Sequence, residues 1–482
     1  MIKLIINEIK KIFLRKNVYI MLMVVIAFIF YSNYILKEEN TNNYASSAAS
    51  VEAFEESLNK IDPETSPDRY ILIKNALDCV KLLAKYPENT WQYNILIINF
   101  HYKYINDINY YAFSTSKDEV KMLEAMNVLD EFLLKLDDGN WKSIVSDEIT
   151  FITKKIKKLQ ESLPIIENDS TKNIMDQIAL LEIEMEVLNE RLNKNINYTN
   201  DYLDIALTSY QKNSQAVVKL KPESYRNKYI AEQQLQSLVE EIAINKYVIE
   251  TKIDSLGKNF HPSLSTSVYD QYDIFILILI LLISGGIVSE EFSRGTIKLL
   301  LIRPHSRVKI LLSKYITVLL MIIFGYFVIS ATQVAIETII SGTGNFKPLI
   351  ATYNFNTYTV NSYNIFTYIF IDFIQHFPVY IILITLSFAI STVFTSTTLG
   401  ITLPVIGMLG GSAINYTVMR RQMINLKYFI TLNWDFPIYM NGKLPQLEGI
   451  TWQFSLIVTL AYLVILLLIT FLEFKRKNIK NI

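Results

Sequence analysis

Two hydrophobic patterns share this chain. The first is a set of long apolar runs: Val18 to Leu36, Tyr272 to Val288, Tyr315 to Ile340, Ile365 to Thr392, Leu399 to Tyr416 and Phe454 to Leu472. About 18–20 apolar residues cross a bilayer as a helix, so the runs predict six transmembrane helices over 18–36, 272–288, 315–340, 365–392, 399–416 and 454–472. The second is a narrow helical stripe in the polar stretch between the first two runs. Val145, Ile149, Ile152, Ile156, Leu159 and Leu163 step by four and three; Ile174, Ile178, Leu181, Met185, Leu188 and Leu192 repeat the stepping. Leu235, Leu238, Ile242, Ile249, Ile253 and Leu256 form a third, less regular stripe. Such seams predict helices packing on one another, and residues 37–271 are long enough for a helical domain with its own core. The expected fold is an all-α integral membrane protein with a large helical extracellular domain between helices one and two.

Residues 1–17 carry Ile2, Ile5, Ile6, Ile9, Ile12 and Phe13 at helical spacing among lysines, which predicts an amphipathic helix in the membrane interface. Residues 417–453 hold Lys427, Asp435 and Pro437, costly inside a bilayer, so that stretch reads as an extracellular or re-entrant segment. Fifteen Lys and Arg fall in the N-terminus, the 289–314 loop and the 473–482 tail. Five fall in the short loops of the other side (Lys347, Arg420, Arg421, Lys427, Lys443). The positive-inside rule then places the chain in the cell membrane with both termini cytoplasmic and residues 37–271 extracellular.

The 482 residues carry 46 basic and 46 acidic side chains, but the charge is divided. Between Lys37 and Asp273 there are 26 basic and 38 acidic residues, which leaves the membrane half basic. The acidic surplus has two readings: a solvated surface, or an electrostatic lure for cationic peptides. No strongly basic soluble domain exists, so a nucleic-acid partner is not expected. The single cysteine excludes an internal disulfide and a cysteine zinc site. There is no G-x-x-x-x-G-K-[ST] and no H-E-x-x-H, so neither a phosphate-binding loop nor a metalloprotease motif is present. Glu290-Glu291 with Arg294 falls one residue short of a Glu-Glu-x-x-x-Arg prenyl-protease pattern. The chain is expected to be no enzyme and to bind no cofactor or metal.

The informative segment is 289–314, Ser-Glu-Glu-Phe-Ser-Arg-Gly-Thr-Ile-Lys-Leu-Leu-Leu-Ile-Arg-Pro-His-Ser-Arg-Val-Lys-Ile-Leu-Leu-Ser-Lys. Thr296 can cap a short helix carrying Ile297, Leu300 and Leu301, Pro304 breaks it, and a second helix starts near Val308. A short helix across the ends of two spans can transmit a push from a partner. Glu290, Glu291, Arg294 and Arg303 add charge for such a contact. The spacing Glu291, Gly295-Thr296, Leu299-Leu300-Leu301, Pro304, Arg307, Lys314 resembles the signature of type-2 ATP-binding-cassette exporter permeases. His305 and Ser313 depart from the usual pattern without breaking it. The six runs, the amphipathic N-terminus and Asn433-Trp-Asp-Phe-Pro437 extend the resemblance over the membrane half.

The resemblance implies a permease built from this chain and a second permease chain, homodimeric or heterodimeric. It implies two copies of a separate ATPase subunit, which binds ATP and magnesium and seats on the 289–314 coupling loop. Export of an amphipathic compound, such as an antimicrobial peptide or drug, is the expected function. Two alternatives stay open: a sensor or mechanical transmitter acting through the extracellular domain, and a surface receptor or scaffold. Asp372, Gln375 and His376 share one helical face, and Glu337 sits late in its run. They read either as the polar lining of a translocation path or as interhelix hydrogen bonds.

Overall fold

The computed structural model describes residues 1–42, 47–87, 90–99, 108, 118–163, 169–199, 201–220, 228–253, 268–301, 305–341 and 349–477. It is mostly helical and divides into two compact units. A membrane unit comprises residues 1–36, 221–237 and 255–482, and a helical unit comprises 37–220 and 238–254.

In the membrane unit, α1 (Ile2–Phe13) meets α2 (Lys16–Asn42) at a 61° bend. Among the described residues, five further long helices are apolar enough to cross a membrane: α11 (Val268–Ser293), α13 (Arg307–Ser341), α14 (Ile365–Phe394), α15 (Thr397–Arg421) and α17 (Trp452–Arg476). The bent α1–α2 pair adds a sixth if taken as one span. These are the helices of a membrane-embedded protein. The expected loop 289–314 is largely helix. No glycine or proline stands between Gly286 and Gly295, so Ser289–Ser293 continue α11, and Arg307–Lys314 already belong to α13.

Serine and threonine join the apolar helices. Ser284 donates to Ser387 at 2.7 Å, Ser391 donates to the Gly285 carbonyl at 2.6 Å, and the hydroxyls of Tyr315 and Thr385 lie 2.8 Å apart. Small residues let backbones approach where apolar burial offers no preference for helix over lipid. A Cβ at Gly400 would lie 3.0 Å from the Gly285 Cα and 3.2 Å from the Ser391 Cβ. Gly400→Val should therefore cost about 1–3 kcal/mol by overpacking. Its thermal midpoint in detergent should drop, while Gly407→Val, with nothing within 4 Å in the structure, should leave it unchanged.

Among the described residues, one feature departs from an all-α fold. A two-stranded antiparallel hairpin, β1 (Ile350–Asn354) and β2 (Thr359–Tyr363), pairs Ile350 with Tyr363 and Asn354 with Thr359. Its β-branched and aromatic residues suit a half-buried ribbon. The 417–453 stretch forms a cap rather than another long helix. After α15 ends at Arg421 come 3₁₀ turns at Ile424–Leu426 and Ile430–Leu432, then α16 (Phe436–Met440). Val418, Leu432, Leu447 and Ile450 form its small core.

In the helical unit, α3 (Ser47–Asn59), α4 (Pro67–Lys85) and α5 (Trp91–Asn99) precede α6 (Glu119–Asp137), α7 (Trp141–Glu161), α8 (Asp169–Lys194) and α9 (Tyr202–Lys219). The two regular stripes meet as expected. Val145, Ile152 and Ile156 of α7 share one core with Ile178 and Leu188 of α8. The third stripe is only partly used. On α10 (Lys228–Thr251), Val248 and Ile249 enter a second core with Val187, Ala206 and Leu207, while Leu235 is exposed. The turn from α8 to α9 is held by Arg191. It pairs with Asp204 at 2.8 Å, donates to the Asn197 carbonyl at 3.1 Å and stacks 3.8 Å over the Tyr198 ring.

Candidate functional site

Two charged residues of the 289–314 segment, Glu291 and Lys314, meet Glu8 and Lys11 in a buried ion-pair hub between α1, α11 and α13. Lys314 is fully buried, and Glu8 and Glu291 are more than nine-tenths buried. The Lys314 ammonium lies 2.7 Å from Glu8 Oε2 and 2.8 Å from Glu291 Oε1, and it donates to the Ile287 carbonyl at 3.0 Å. Lys11 closes the square at 2.8 Å from Glu8 Oε1 and 2.7 Å from Glu291 Oε1. Two ammoniums and two carboxylates balance, the condition under which ions tolerate burial. Burial alone would raise the Glu8 pKa, but Lys314 and Lys11 hold it below the ordinary carboxylate range. Burial works against the Lys11 ammonium, yet its bonds to Glu291 and Glu8 raise its pKa. Among the described residues, Glu291 Oε2 is buried without a hydrogen-bond partner.

A second, wetter cluster gathers around Glu290. Arg15 lies 3.2 Å from Glu290 and reaches the Gly286 carbonyl at 3.5 Å, and the exposed Arg294 lies 3.4 Å from Glu290. Gly286 leaves room for this arginine: a Cβ there would stand 2.8 Å from Arg15 Nη1.

Beyond the hub the chain turns through Gly295, whose φ of +68° favours glycine. It then enters the five-residue helix α12 (Ile297–Leu301). Ile297 is buried, while Lys298 is exposed and Leu299 is 70% exposed. Thr296 does not need to act through a cap: its hydroxyl donates back to the Glu291 carbonyl at 3.4 Å. Arg307 donates to the carbonyls of Lys475 at 3.1 Å and Lys477 at 2.9 Å, at the end of α17. Lys477 in turn donates to the Thr392 and Val393 carbonyls at 3.0 and 2.8 Å, at the end of α14. Both cations meet helix C-termini, where unpaired carbonyls and the helix dipole favour them. Arg303 and Pro304 lie outside the described residues.

The structure thus pairs Glu291 with Lys314 in the buried hub, places Glu290 and Arg294 in a separate ion-pair cluster and sets Arg307 apart as a helix-end staple. Glu8, Lys11, Arg15 and Lys477 were not singled out by sequence reasoning. One signal was available: Glu8 is the sole acid among the first 37 residues, and it stands on the same face as Ile5 and Ile12.

The other predicted polar group lies within the helices. Asp372 is 2% exposed and accepts a hydrogen bond from the Tyr326 hydroxyl of α13. His376 Nδ1 is 3.2 Å from the Asp372 carboxylate. Gln375 is half-buried beside them. Within this chain the pair joins α13 to α14, packed among the rings of Tyr326, Phe327 and Phe373. Glu337 lies on α13, and its side chain is outside the described residues. Among the described residues, no group of three or more His, Cys, Asp or Glu is placed to hold a metal ion.

Comparison with known proteins locates this architecture. The uncharacterized protein YhcI of Bacillus subtilis (strain 168) is 30% identical over 243 residues, which are 50% of this chain and 76% of the relative. The chain belongs to the family of that protein. The family of proteins of unknown function DUF2705 matches residues 241–480. That range takes in Glu290, Glu291, Lys314 and the whole of α11 to α17, and it leaves α1 to α9 outside. No solved structure matches the chain.

Proposed function

We propose that this chain is the membrane-embedded permease subunit of an ATP-driven exporter of the ATP-binding-cassette type. In this reading it works with a second permease chain, homodimeric or heterodimeric, and with two copies of a separate ATPase that carries the nucleotide and magnesium. The observation that carries the reading is the elbow between α11 and α13. The short helix α12 offers the exposed Leu299 and Lys298 to a partner, while Glu291 and Lys314 tie both flanking helices to α1. A push on α12 therefore has a stiff path into two apolar helices. The chain has no phosphate-binding loop, so energy enters from another polypeptide. The hub faces the cytoplasm and the helical unit faces outward in this reading, as the distribution of Lys and Arg favours. The helical unit's acidic surplus suits an amphipathic, cationic cargo such as an antimicrobial peptide.

The test is affinity purification of the tagged chain from its native membrane. A stoichiometric ATPase should accompany the wild type. Leu299→Asp should reduce its recovery roughly tenfold, the effect of losing about 1.4 kcal/mol of binding, with an unchanged thermal midpoint. Absence of any ATPase under several gentle extraction conditions would overturn the exporter reading.

A further inference from the structure

Within the membrane unit, the far end of α15 carries cations that the exporter reading does not use. The first turn of α15 touches the end of α11: the hydroxyls of Thr397 and Ser289 lie 2.6 Å apart, two residues before Glu291 of the hub. From there α15 runs 25 residues, a rise of about 37 Å against about 30 Å of bilayer hydrocarbon. Arg420 and Arg421 therefore stand at the end opposite the hub, on the side where Lys and Arg are few. Both are exposed, and neither makes an ion pair or hydrogen bond among the described residues. A cation in the last turn of a helix ordinarily satisfies its unpaired carbonyls. Here the backbone and Gln422 do so. The Gln422 N–H and side-chain amide reach the Met419 carbonyl at 3.2 and 3.0 Å, and the Met423 N–H donates to the Val418 carbonyl at 3.1 Å. The two guanidinium groups, with five N–H donors each, are left for an external anion.

Lys427 joins them at this end. Leu426 and Phe454 pack against the small core that holds Val418. The Lys427 ammonium lies 5.3 Å from the centre of the Phe454 ring and 5.4 Å from that of Tyr428, a distance at which the ring faces attract a cation. The Asn433 amide holds its carbonyl at 2.7 Å. Around these cations Met423, Ile424, Tyr428 and Trp452 are exposed. Residues 417–453 carry four basic side chains against two acids, Asp435 and Glu448. Cations beside exposed aromatic and aliphatic side chains, at the end of a bilayer-length helix, meet headgroups on one side and acyl chains on the other.

We propose that Arg420, Arg421 and Lys427 hold the headgroup phosphate of an anionic phospholipid, whose acyl chains lie against Met423, Ile424 and α15. The planar fork of arginine matches phosphate oxygens two at a time. A zwitterionic lipid brings its own ammonium to a patch that already has three cations, whereas an anionic lipid brings net negative charge. This site stands apart from the exporter reading and holds whether or not an ATPase binds the chain.

Quenching of tryptophan fluorescence by brominated lipids tests this on the full-length chain in vesicles. Of the four tryptophans, Trp452 is exposed two residues before Phe454, and its share of the signal is the difference from Trp452→Phe. Dibrominated phosphatidylglycerol should associate there about tenfold more strongly than dibrominated phosphatidylcholine. In Arg420→Gln/Arg421→Gln/Lys427→Gln the ratio should fall to about one, with an unchanged thermal midpoint in phosphatidylcholine nanodiscs. If the triple variant does not fold, Arg420→Gln/Arg421→Gln, which alters exposed side chains alone, should still lower the ratio severalfold. Millimolar inorganic phosphate should leave the wild-type ratio as it is, because phosphate brings no acyl chains. Equal quenching by the two lipids in the wild type, or a preference that survives the triple variant, would overturn the proposal. Loss of the preference to inorganic phosphate would also overturn it and assign the arginines to a soluble anion.

Discussion

Lys314→Met should be among the most damaging single substitutions in the membrane unit. The change leaves Glu8 and Glu291 buried with Lys11 alone between them, and an unbalanced buried carboxylate costs about 3–5 kcal/mol. The thermal midpoint of the detergent-solubilised chain should fall on the order of 10 °C. Charge balance, more than any one contact, is what the site requires. The double variant Lys314→Met/Glu8→Leu keeps the Lys11–Glu291 pair and removes one charge of each sign. It should recover most of the lost stability. Exchanging the residues at 291 and 314 should not, because the new lysine would face Lys11 and the new glutamate would face Glu8. A wild-type midpoint in Lys314→Met, or a double variant no better than the single, would show that the hub contributes little.

Asn433→Leu should loosen the cap. Asn433 is fully buried, and its amide donates to the Lys427 carbonyl at 2.7 Å and the Phe429 carbonyl at 2.8 Å. Its side-chain oxygen accepts from Ser455 at 2.8 Å, and its own carbonyl accepts from Thr459 at 3.1 Å. Leucine has similar volume but withdraws the amide donor from the half-buried Lys427 carbonyl, at roughly 1–3 kcal/mol, while the Phe429 carbonyl keeps the Leu432 N–H at 3.2 Å. Trypsin should then cut faster at Lys427 and Lys443 in intact membranes, while cleavage within α8 stays at the wild-type rate. Equal cleavage rates in the two proteins would mean that the cap is held by its apolar core alone.

Much of this architecture was legible in the chain. The apolar runs located α11, α13, α14, α15 and α17, because a bilayer-length hydrophobic stretch needs no tertiary partner to be recognised. The α7 and α8 stripes predicted their own packing, since residues three and four apart share a helix face. The β-hairpin was missed because its polar threonines and asparagines carry little alternation in burial.

The chemistry of the 289–314 segment divides along the same line. The resemblance to the permease signature singled out Glu291, Gly295, Arg307 and Lys314 without any structure, but it carries no information on where each side chain points. Only the tertiary fold brings Glu8, 306 positions before Lys314, to within 2.7 Å of it, and turns Arg307 onto the carbonyls that end α17. The sequence determined which segments are helical and which are apolar, because those properties arise from neighbours three or four residues apart. Pairing of buried charges and the partners of helix ends depend on contacts across hundreds of residues, and those the tertiary structure decided.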